Sequence, residues 1–342
     1  MKICFILGPF RPGKCGISDY VDLLGKELER RGHSILRESI HNSKSFDNLS
    51  NDLPDADFYS IQFAPYSFAK RGLSGKSLFK FARSIRQKKV QINFHEIWIG
   101  AYPQASWKEK IIGSCQKREI LKFLKIAQPK IIHASNSAAI NHFKKEGIKA
   151  EPLYLFGNIP FHSSDNQPDE IPMLQVVFFG TLYKQFPFRL LGQRLSEISL
   201  ALGKGVNLWV IGRQRESVGL SKLKEMAIAN NFKTNVRGEL CTDSISNEFQ
   251  MCSLAISTTP YDILGKSGAT AAMLEHGLPI YAYDDGDTPK ENLFIFEPFQ
   301  DQIFLINESS HAGKIVQFSQ RPRKPFFDGV VHTADTMLEM LS

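Results

Sequence analysis

Cysteine is scarce in this sequence and follows no pattern. The five cysteines, Cys4, Cys15, Cys115, Cys241 and Cys252, are odd in number and scattered along 342 residues. A disulfide framework needs an even set, and a structural metal site commonly shows a Cys-x-x-Cys pair. The sequence therefore predicts free thiols in a reducing compartment and no metal site.

Long apolar runs are missing as well. No stretch of about 18 apolar residues is present to span a bilayer, and the apolar start Lys2–Leu7 is too short for a secretory signal. We therefore expect a soluble cytoplasmic protein. The composition, 42% hydrophobic and 23% charged, is ordinary for globular proteins. Because single cores rarely grow beyond ~250–300 residues, two domains are expected.

Acidic residues are few in the first half of the chain. Residues 1–165 hold 26 Lys and Arg against 15 Asp and Glu, whereas residues 166–342 hold 16 against 20. The net charge of +7 therefore comes from the first half, where a helix predicted over Ser106–Ala127 is rich in lysine. A basic domain of this kind favours an anionic partner.

Short apolar runs alternate with helical patterns in both halves. Lys2–Leu7, Phe58–Phe63 and Val90–Phe94 in the first half, and Leu174–Phe179 and Val206–Ile211 in the second, are typical of buried parallel strands. This alternation predicts the α/β class, with two Rossmann-like domains.

One polar stretch, His162–Glu170, interrupts the alternation and has the composition of an interdomain linker. We predict a first domain over residues 1–165 and a second over 166–330. A C-terminal helical segment is predicted over residues 331–342.

The loop after the first strand lacks the hydroxyl of a nucleotide-binding P-loop. Gly8 and the pair Gly13-Lys14 have the right spacing, but Cys15 stands where Ser or Thr would bind Mg²⁺. A soft thiol is a poor ligand for that hard cation, and Pro12 removes an amide that would face phosphate. An NTPase is the weakest alternative. A flexible loop that touches a ligand is favoured.

The stretch Thr258–Ile280 carries the strongest binding signal. An apolar run leads into a turn, two glycines flank Lys266 and Ser267, and a helix-favouring segment follows. Helix N-termini attract phosphate, the lysine adds a full positive charge, and Ser267 and Thr270 are candidate caps. The pattern favours a diphosphate site; the alternative is a capped helix with a solvated lysine.

Other strands of the second half also end at glycine-bearing loops. The carboxyl ends of parallel strands meet at one edge, so these loops should converge there, and Arg213 could add a second charge for a diphosphate. The predicted donor-binding and diphosphate-binding residues are Lys266, Ser267, Gly268, Thr270, Arg213, Gly180, Thr181, Lys184, Gly238, Glu239, Leu240 and Asp262.

In the first half, the strand Val90–Phe94 delivers His95 and Glu96 to its carboxyl end. These two residues are the catalytic candidates. A histidine at that position could be a proton donor or a sugar contact, and the alternative is a hydrogen-bonded structural histidine.

The order of these parts resembles the GT-B glycosyltransferases of the family 4 type. The resemblance rests on Pro12–Tyr20, Gly32-His33, His95–Trp98, Asn158–Pro160 and Gly277–Pro279, and it covers nearly the whole chain. It implies two Rossmann-like domains that face a cleft, with a nucleotide-sugar on the second and an acceptor on the first. It also implies that the final helix crosses back to the first domain.

The resemblance implies sugar transfer from a nucleoside diphosphate to an acceptor hydroxyl, with retention and without a required metal or other cofactor. His95 matches the family's histidine near the donor sugar, and the N-terminal loop beside the acceptor contributes Gly13, Lys14, Gly16 and Asp19.

The basic first half extends this expectation to an anionic acceptor, such as a lipid-linked glycan at a membrane surface. We therefore expect a role in surface polysaccharide or glycolipid synthesis and a peripheral location at the inner membrane face. Nucleic acid is not an expected partner.

Two features of that family are lacking. Thr181 stands where the family usually has an arginine, so that only Lys184 remains of an arginine and lysine pair. Leu264 and Ala272 stand where the family has two glutamates. Asp262 or Glu275 is the remaining candidate for a ribose contact. These absences support a non-catalytic protein that binds a nucleotide or glycan as one alternative. A nucleotide-sugar epimerase of the same architecture, which needs no acceptor, is another.

Overall fold

The computed structural model describes residues 1–101, 105–163, 173–213, 218–284, 297–319 and 321–341. The chain forms two compact units, Met1–Tyr154 with Val330–Ser342, and Leu155–Gly329. The division precedes the predicted boundary between residues 165 and 166, which lies outside the described residues. Residues that follow Tyr154 bond to the second unit: the Gly157 amide donates to Glu275 at 2.9 Å.

The first unit is built on a parallel six-stranded sheet. Its strands are β1 (Lys2–Leu7), β2 (Ser34–Ser39), β3 (Phe58–Phe63), β4 (Val90–Phe94), β5 (Ile131–Ala134) and β6 (Glu151–Pro152), in the order β2-β1-β3-β4-β5-β6. The helices between them are α1 (Gly16–Arg30), α2 (Ser43–Asn51), α3 (Pro65–Phe68), α4 (Lys76–Ile85), α5 (Trp107–Ala127) and α6 (Ser137–Lys145). The strand order reverses between β1 and β3.

The two faces of the first sheet differ in chemistry. One face packs against an aromatic core that includes Phe46, Phe63, Phe81, Phe94 and Phe123, all buried. Fully burying one such ring contributes roughly 1.5–3 kcal/mol. Because side chains alternate along a strand, the opposite face of the central strands carries polar residues. These are Ser60, Gln62, Gln91, Asn93 and His133, each no more than 4% exposed.

The second unit is also built on a parallel six-stranded sheet. Its strands are β7 (Met173–Phe179), β8 (Gly205–Ile211), β9 (Lys233–Gly238), β10 (Leu254–Pro260), β11 (Ile280–Tyr283) and β12 (Ile303–Leu305), in the order β12-β11-β10-β7-β8-β9. Its helices are α7 (Phe188–Leu202), α8 (Val218–Ala229), α9 (Thr242–Met251), α10 (Gly268–Glu275) and α11 (Ser310–Ser319). The order reverses between β7 and β10. Both units are Rossmann-like, and the predicted α/β class is confirmed.

The last helix, α12 (Gly329–Glu339), belongs to the first unit. The Thr333 hydroxyl donates to the carbonyl of Tyr154 at 3.2 Å, and Arg31 of α1 forms an ion pair with Asp335. Within the described part of the chain, no helix has both the length and the apolar character needed to cross a membrane.

Gly157 packs closely against α10 in the second unit. A Cβ atom at this position would lie 2.5 Å from the Cα of Ala272 in α10, closer than real Cβ contacts come. We expect Gly157→Ala to destabilise the protein by about 2–3 kcal/mol, because helix backbone has to move. Chemical denaturation measures this. Gly313→Ala, where nothing lies within 4 Å, is the control and should be neutral or stabilising; equal effects of the two substitutions would contradict the packing.

Candidate functional site

A cavity of about 180 Å³ lies at the carboxyl ends of β7 and β10, where the strand order of the second unit reverses. In doubly wound sheets this is the position at which ligands bind. Three segments line it: Phe179, Gly180, Thr181 and Tyr183 at the end of β7, Ser257–Thr259 on β10, and Lys266, Ser267, Ala269 and Thr270 at the start of α10.

The start of α10 is shaped by its capping residue. The Oγ of Ser267 accepts the amide of Thr270 at 3.2 Å, so Ser267 is the N-cap that the sequence predicted. Gly180 has a positive φ of 86°, and a Cβ there would lie 3.1 Å from the Cβ of Ala269. A glycine at this position therefore lets the loop after β7 approach the N-terminus of α10 closely.

A directed chain of hydroxyl groups runs along the cavity wall. The Oγ of Ser257 lies 2.8 Å from the Oγ1 of Thr270, which donates to the Oγ of Ser267 at 2.9 Å. Since a threonine hydroxyl has one hydrogen, Ser257 is the donor in the first of these bonds. Ser267 Oγ thus accepts both the amide and the hydroxyl of Thr270, and its own hydrogen is left to donate to a ligand in the cavity.

The cavity is suited to an anion. Lys266 lines it beside Ser267, and the N-terminus of α10 carries a partial positive charge. Among the described residues that form the lining, none is acidic. Together these groups provide a positive charge, backbone N–H donors and a hydroxyl donor, which is the chemistry that phosphate groups require.

Part of this lining was not among the predicted binding residues, although Thr258 and Thr259 open the stretch that carries the strongest binding signal. Ser257, Thr258 and Thr259 form one wall, and Thr258 holds the loop after β7 because its hydroxyl donates to the carbonyl of Thr181 at 2.7 Å. The signal was present in the sequence, since three consecutive hydroxyl residues end a strand whose apolar start was recognised.

Of the predicted donor-binding residues, Gly180, Thr181, Lys266, Ser267 and Thr270 line the cavity. The lining does not include Gly268, Lys184, Arg213, Gly238, Glu239, Leu240 or Asp262. For these seven residues, a ligand contact stays a prediction.

Two of those predicted residues pair with each other. Arg213 Nε donates to Glu239 Oε1 at 2.7 Å in an exposed ion pair. The carboxylate offsets the second positive charge that was expected to serve a diphosphate. Glu275, a candidate for ribose, is 2% exposed, and its carboxylate accepts the amide of Gly157. That burial disfavours a direct ribose contact.

The loop after β1 does not have the geometry of a P-loop. The Gly13 amide donates to the carboxylate of Asp19 at 2.5 Å, whereas a P-loop directs such amides at phosphate. A carboxylate bonded to this amide takes the place that a nucleotide phosphate would have in a P-loop. Lys14 is exposed and Gly16 is the first residue of α1. The arrangement argues against the NTPase alternative.

His95 is a buried, neutral histidine. It is 9% exposed, and its Nε2 lies 2.7 Å from the Oε1 of Gln62. The same oxygen accepts Asn93 Nδ2 at 3.2 Å, while Gln62 Nε2 donates to Ser60 at 2.8 Å. His95 Nε2 must therefore be the donor, which leaves Nδ1 as an acceptor. Burial lowers the pKa of His95 to about 4.

The hydrogen bonds and the lowered pKa of His95 bear on its predicted roles, and a catalytic role for His95 or Glu96 stays a prediction. Because burial lowers the pKa of His95 to about 4, a cationic proton donor at neutral pH is disfavoured at this position. Its unprotonated Nδ1 remains able to accept a hydrogen bond. Glu96, the other candidate, is exposed at the end of β4.

The polar network beyond Gln62 ends at a second buried histidine. The Ser60 hydroxyl donates to Gln91 Oε1 at 2.8 Å, and Gln91 Nε2 lies 2.8 Å from Nδ1 of His133. The amide is the donor, so the His133 proton is on Nε2, which is buried without a hydrogen-bond partner. Burial lowers the pKa of His133 to about 4. Among the described residues, no group of three or more His, Cys, Asp or Glu could hold a metal ion.

No family model matches the chain, and no curated protein matches it in sequence. Solved structures do match its fold. The crystal structure of HepE from Anabaena in complex with UDP has a TM-score of 0.58 at 15% identity and covers 100% of this chain and 99% of that one.

An alpha-glucosyltransferase in complex with UDP has a TM-score of 0.56 at 11% identity, with 100% and 95% coverage. Its complex with UDP and a 13-mer DNA has a TM-score of 0.53 at 10% identity, with 100% and 99% coverage. Identities this low establish the fold alone. The chain is similar over its whole length to these structures and has the two-domain α/β fold of GT-B glycosyltransferases; membership of family 4 stays a prediction.

Proposed function

We propose that the chain transfers a glycosyl group from a nucleoside-diphosphate sugar to an acceptor hydroxyl. The observation that carries the proposal is the cavity of the second unit, with Lys266, the Ser267 hydroxyl and the N-terminus of α10 at the reversal of strand order. The fold supports it, because HepE and the alpha-glucosyltransferase were both solved with UDP.

In this reaction the bond between the anomeric carbon and the diphosphate oxygen breaks, and a bond to the acceptor oxygen forms. Negative charge develops on the departing diphosphate. Lys266 and the N–H groups of α10 stabilise that charge, while Ser267 donates a hydrogen bond to it. The acceptor proton passes to an oxygen of the diphosphate. Retention of configuration and independence of a metal are proposed from the family resemblance.

We assign acceptor recognition to the first unit, where the loop containing Gly13 and Lys14 ends beside α1. The basic charge of the first unit as a whole favours an anionic acceptor, such as a lipid-linked glycan. Such an acceptor would place the reaction in surface polysaccharide or glycolipid synthesis. His95 contributes the lone pair of Nδ1 to a sugar hydroxyl instead of a proton. That nucleic acid is not a partner stays a prediction, since several structures of this fold contain DNA.

A thermal-shift screen tests donor binding directly. UDP, GDP, ADP, TDP, CMP and ATP are added to the purified protein, with and without Mg²⁺. A ligand that binds only the folded state at about 100 times its Kd stabilises it by roughly 2.7 kcal/mol. We expect one nucleoside diphosphate to raise Tm without Mg²⁺, and Lys266→Ala to abolish the shift. A shift only with ATP and Mg²⁺, lost in Lys14→Ala, would overturn the proposal.

Product analysis separates transfer from its alternatives. The nucleotide-sugar of the base identified in the screen is incubated alone and with a panel of acceptors. Transfer releases nucleoside diphosphate and glycosylates an acceptor. Conversion of the donor to an isomer without acceptor would identify an epimerase, and binding without turnover across the panel would identify a non-catalytic protein.

A further inference from the structure

Two adjacent helices of the first unit form a strongly basic surface. Helices α4 and α5 pack side by side, and Lys122 Nζ of α5 lies 4.5 Å from the ring centre of Phe79 in α4. The two helices carry nine Lys and Arg against two Glu. The exposed basic residues, which we call the α4–α5 surface, are Lys76, Lys80, Arg83, Lys108, Lys110, Arg118, Lys122 and Lys125.

The two acidic residues of α5 are engaged by the backbone and by a hydroxyl. Glu109 accepts the amide and hydroxyl of Ser106, each at 2.7 Å, at the helix N-terminus. Glu119 accepts the amides of Ser74 and Gly75 at 2.7 and 3.0 Å. Neither glutamate forms an ion pair with the basic residues of the α4–α5 surface among the described contacts. The positive charge of this surface is thus available to a partner.

The outer stripe of α5 is apolar at one end and basic at the other. Trp107 and Ile111, one helical turn apart, are 68% and 57% exposed. Continuing at spacings of three and four, the stripe contains Ser114, Arg118, Lys122 and Lys125, all exposed. Lys108 Nζ lies 5.6 Å from the Trp107 ring. Because the two side chains are one helical turn apart, they form a small contiguous apolar patch, a feature of sites that contact a protein or a membrane.

We propose that the α4–α5 surface docks the protein on a bilayer that contains anionic phospholipids, with Trp107 and Ile111 entering the headgroup region. Tryptophan is favoured at that depth because its ring is apolar and its N–H is polar. The lysines and arginines contact lipid phosphates, and each contributes to binding within a Debye length of the surface. Docking of this kind goes beyond the proposed glycosyl transfer and does not depend on it.

A membrane fits the surface better than nucleic acid does. The phosphate backbone of a duplex would satisfy the basic residues, but it offers no apolar phase for Ile111. Trp107 and Ile111 form the most exposed apolar pair of the described first unit, and they lie at one end of the basic stripe. Because the apolar tip and the basic stripe lie on the same outward side of the helix, both can contact one bilayer surface at the same time.

Vesicle co-sedimentation tests the proposal. The full chain is mixed with sonicated vesicles of phosphatidylcholine alone or with phosphatidylglycerol added, at low and high salt. We expect binding only when the anionic lipid is present, weakened by salt. On vesicle binding, the fluorescence emission of Trp107 should move to shorter wavelength. This shift should be absent in Trp107→Phe, because the other two tryptophans are buried (Trp98) or half-buried (Trp209) in the protein.

Two variants and two matched controls make the test specific. Replacing Arg118, Lys122 and Lys125 by Gln should weaken vesicle binding about 100-fold, at about fivefold per charge. Trp107→Gln should weaken it about tenfold. Replacing Lys224, Lys233 and Lys314 of the second unit by Gln makes the same charge change elsewhere, and Leu200→Gln removes a residue that is 86% exposed. Neither control should change vesicle binding.

Three results would overturn the proposal. Equal binding to neutral and anionic vesicles would remove the role of the basic residues. Equal loss in the variants and their controls would show that charge or apolarity at any place suffices. Binding of a 20-base-pair DNA duplex that competes away the vesicles and is unaffected by Trp107→Gln would assign the surface to nucleic acid. Glycosyl transfer to an uncharged, water-soluble acceptor should be unchanged in all four variants, which keeps this outcome separate from that of the proposed function.

Discussion

Replacing Lys266 by Ala is expected to lower kcat for glycosyl transfer by a factor of about 10²–10³, or roughly 3–4 kcal/mol of transition-state stabilisation. Lys266 lines the cavity beside the N-cap Ser267, where charge would develop on the departing diphosphate. An interaction that strengthens as the bond breaks affects kcat more than KM. Initial rates of nucleoside diphosphate release, measured over a range of donor concentrations, separate the two parameters.

Two further variants make this prediction specific. Lys266→Arg keeps the positive charge and should recover part of the lost rate, although a guanidinium does not replace an ammonium in geometry. Lys224→Ala removes an exposed lysine of α8 in the same unit and should leave the rate unchanged. If Lys266→Ala retains full turnover with an unchanged unfolding curve, the cavity is not the site of the leaving group.

The sequence predicted those strands best that are continuously buried. Phe58–Phe63 and Val90–Phe94 have the predicted bounds in the structure. Their aromatic and β-branched residues alternate with Ser60, Gln62, Gln91 and Asn93, a pattern typical of strands. Ser34–Ser39 was not predicted. It is the edge strand β2, and since only one neighbour covers it, its residues are half-buried and include Arg37 and Glu38.

The candidate site could be predicted where its chemistry is local in sequence. Lys266, Ser267 and Thr270 lie within one strand-loop-helix segment, so their meeting at the cavity follows from helix capping. The pairing of Arg213 with Glu239 depends instead on two loops that follow neighbouring strands, 26 residues apart. No local pattern reveals such a neutralised charge.

The protonation state of His95 could not be predicted from sequence for a similar reason. Its tautomer is set by Gln62, 33 residues earlier, whose amide is oriented in turn by Ser60 and Asn93. The alternation of polar residues in β3 and β4 indicates a shared face, but the direction of each hydrogen bond requires the strand register. The structure therefore favours a neutral His95 whose Nε2 donates to Gln62, and a contact of this histidine with a sugar stays a prediction.

Acidification from pH 7.5 to 5 is expected to lower the free energy of unfolding by about 4 kcal/mol through His95 and His133. Burial lowers both pKa values from 6.5 to about 4. The unfolded chain therefore takes up protons below pH 6.5 while the folded state does not, so stability is full above pH 6.5 and falls as the pH drops towards 4. Each histidine accounts for about 2 kcal/mol at pH 5. Urea unfolding at the two pH values measures the difference.

Substitution of the two histidines tests whether they cause the pH-dependent loss of stability. His95→Gln and His133→Gln each replace a titrating ring by a neutral amide, so each should reduce the pH-dependent loss by about 2 kcal/mol, whatever it does to stability at pH 7.5. The two buried rings belong to one hydrogen-bonded chain, so the double variant need not equal the sum of the single ones. His41→Gln, at an exposed position, is the control. Burial also lowers the pKa values of His142 and His276, so part of the pH dependence should remain. A pH-dependent loss that is undiminished in both variants would show that His95 and His133 are not held neutral by burial.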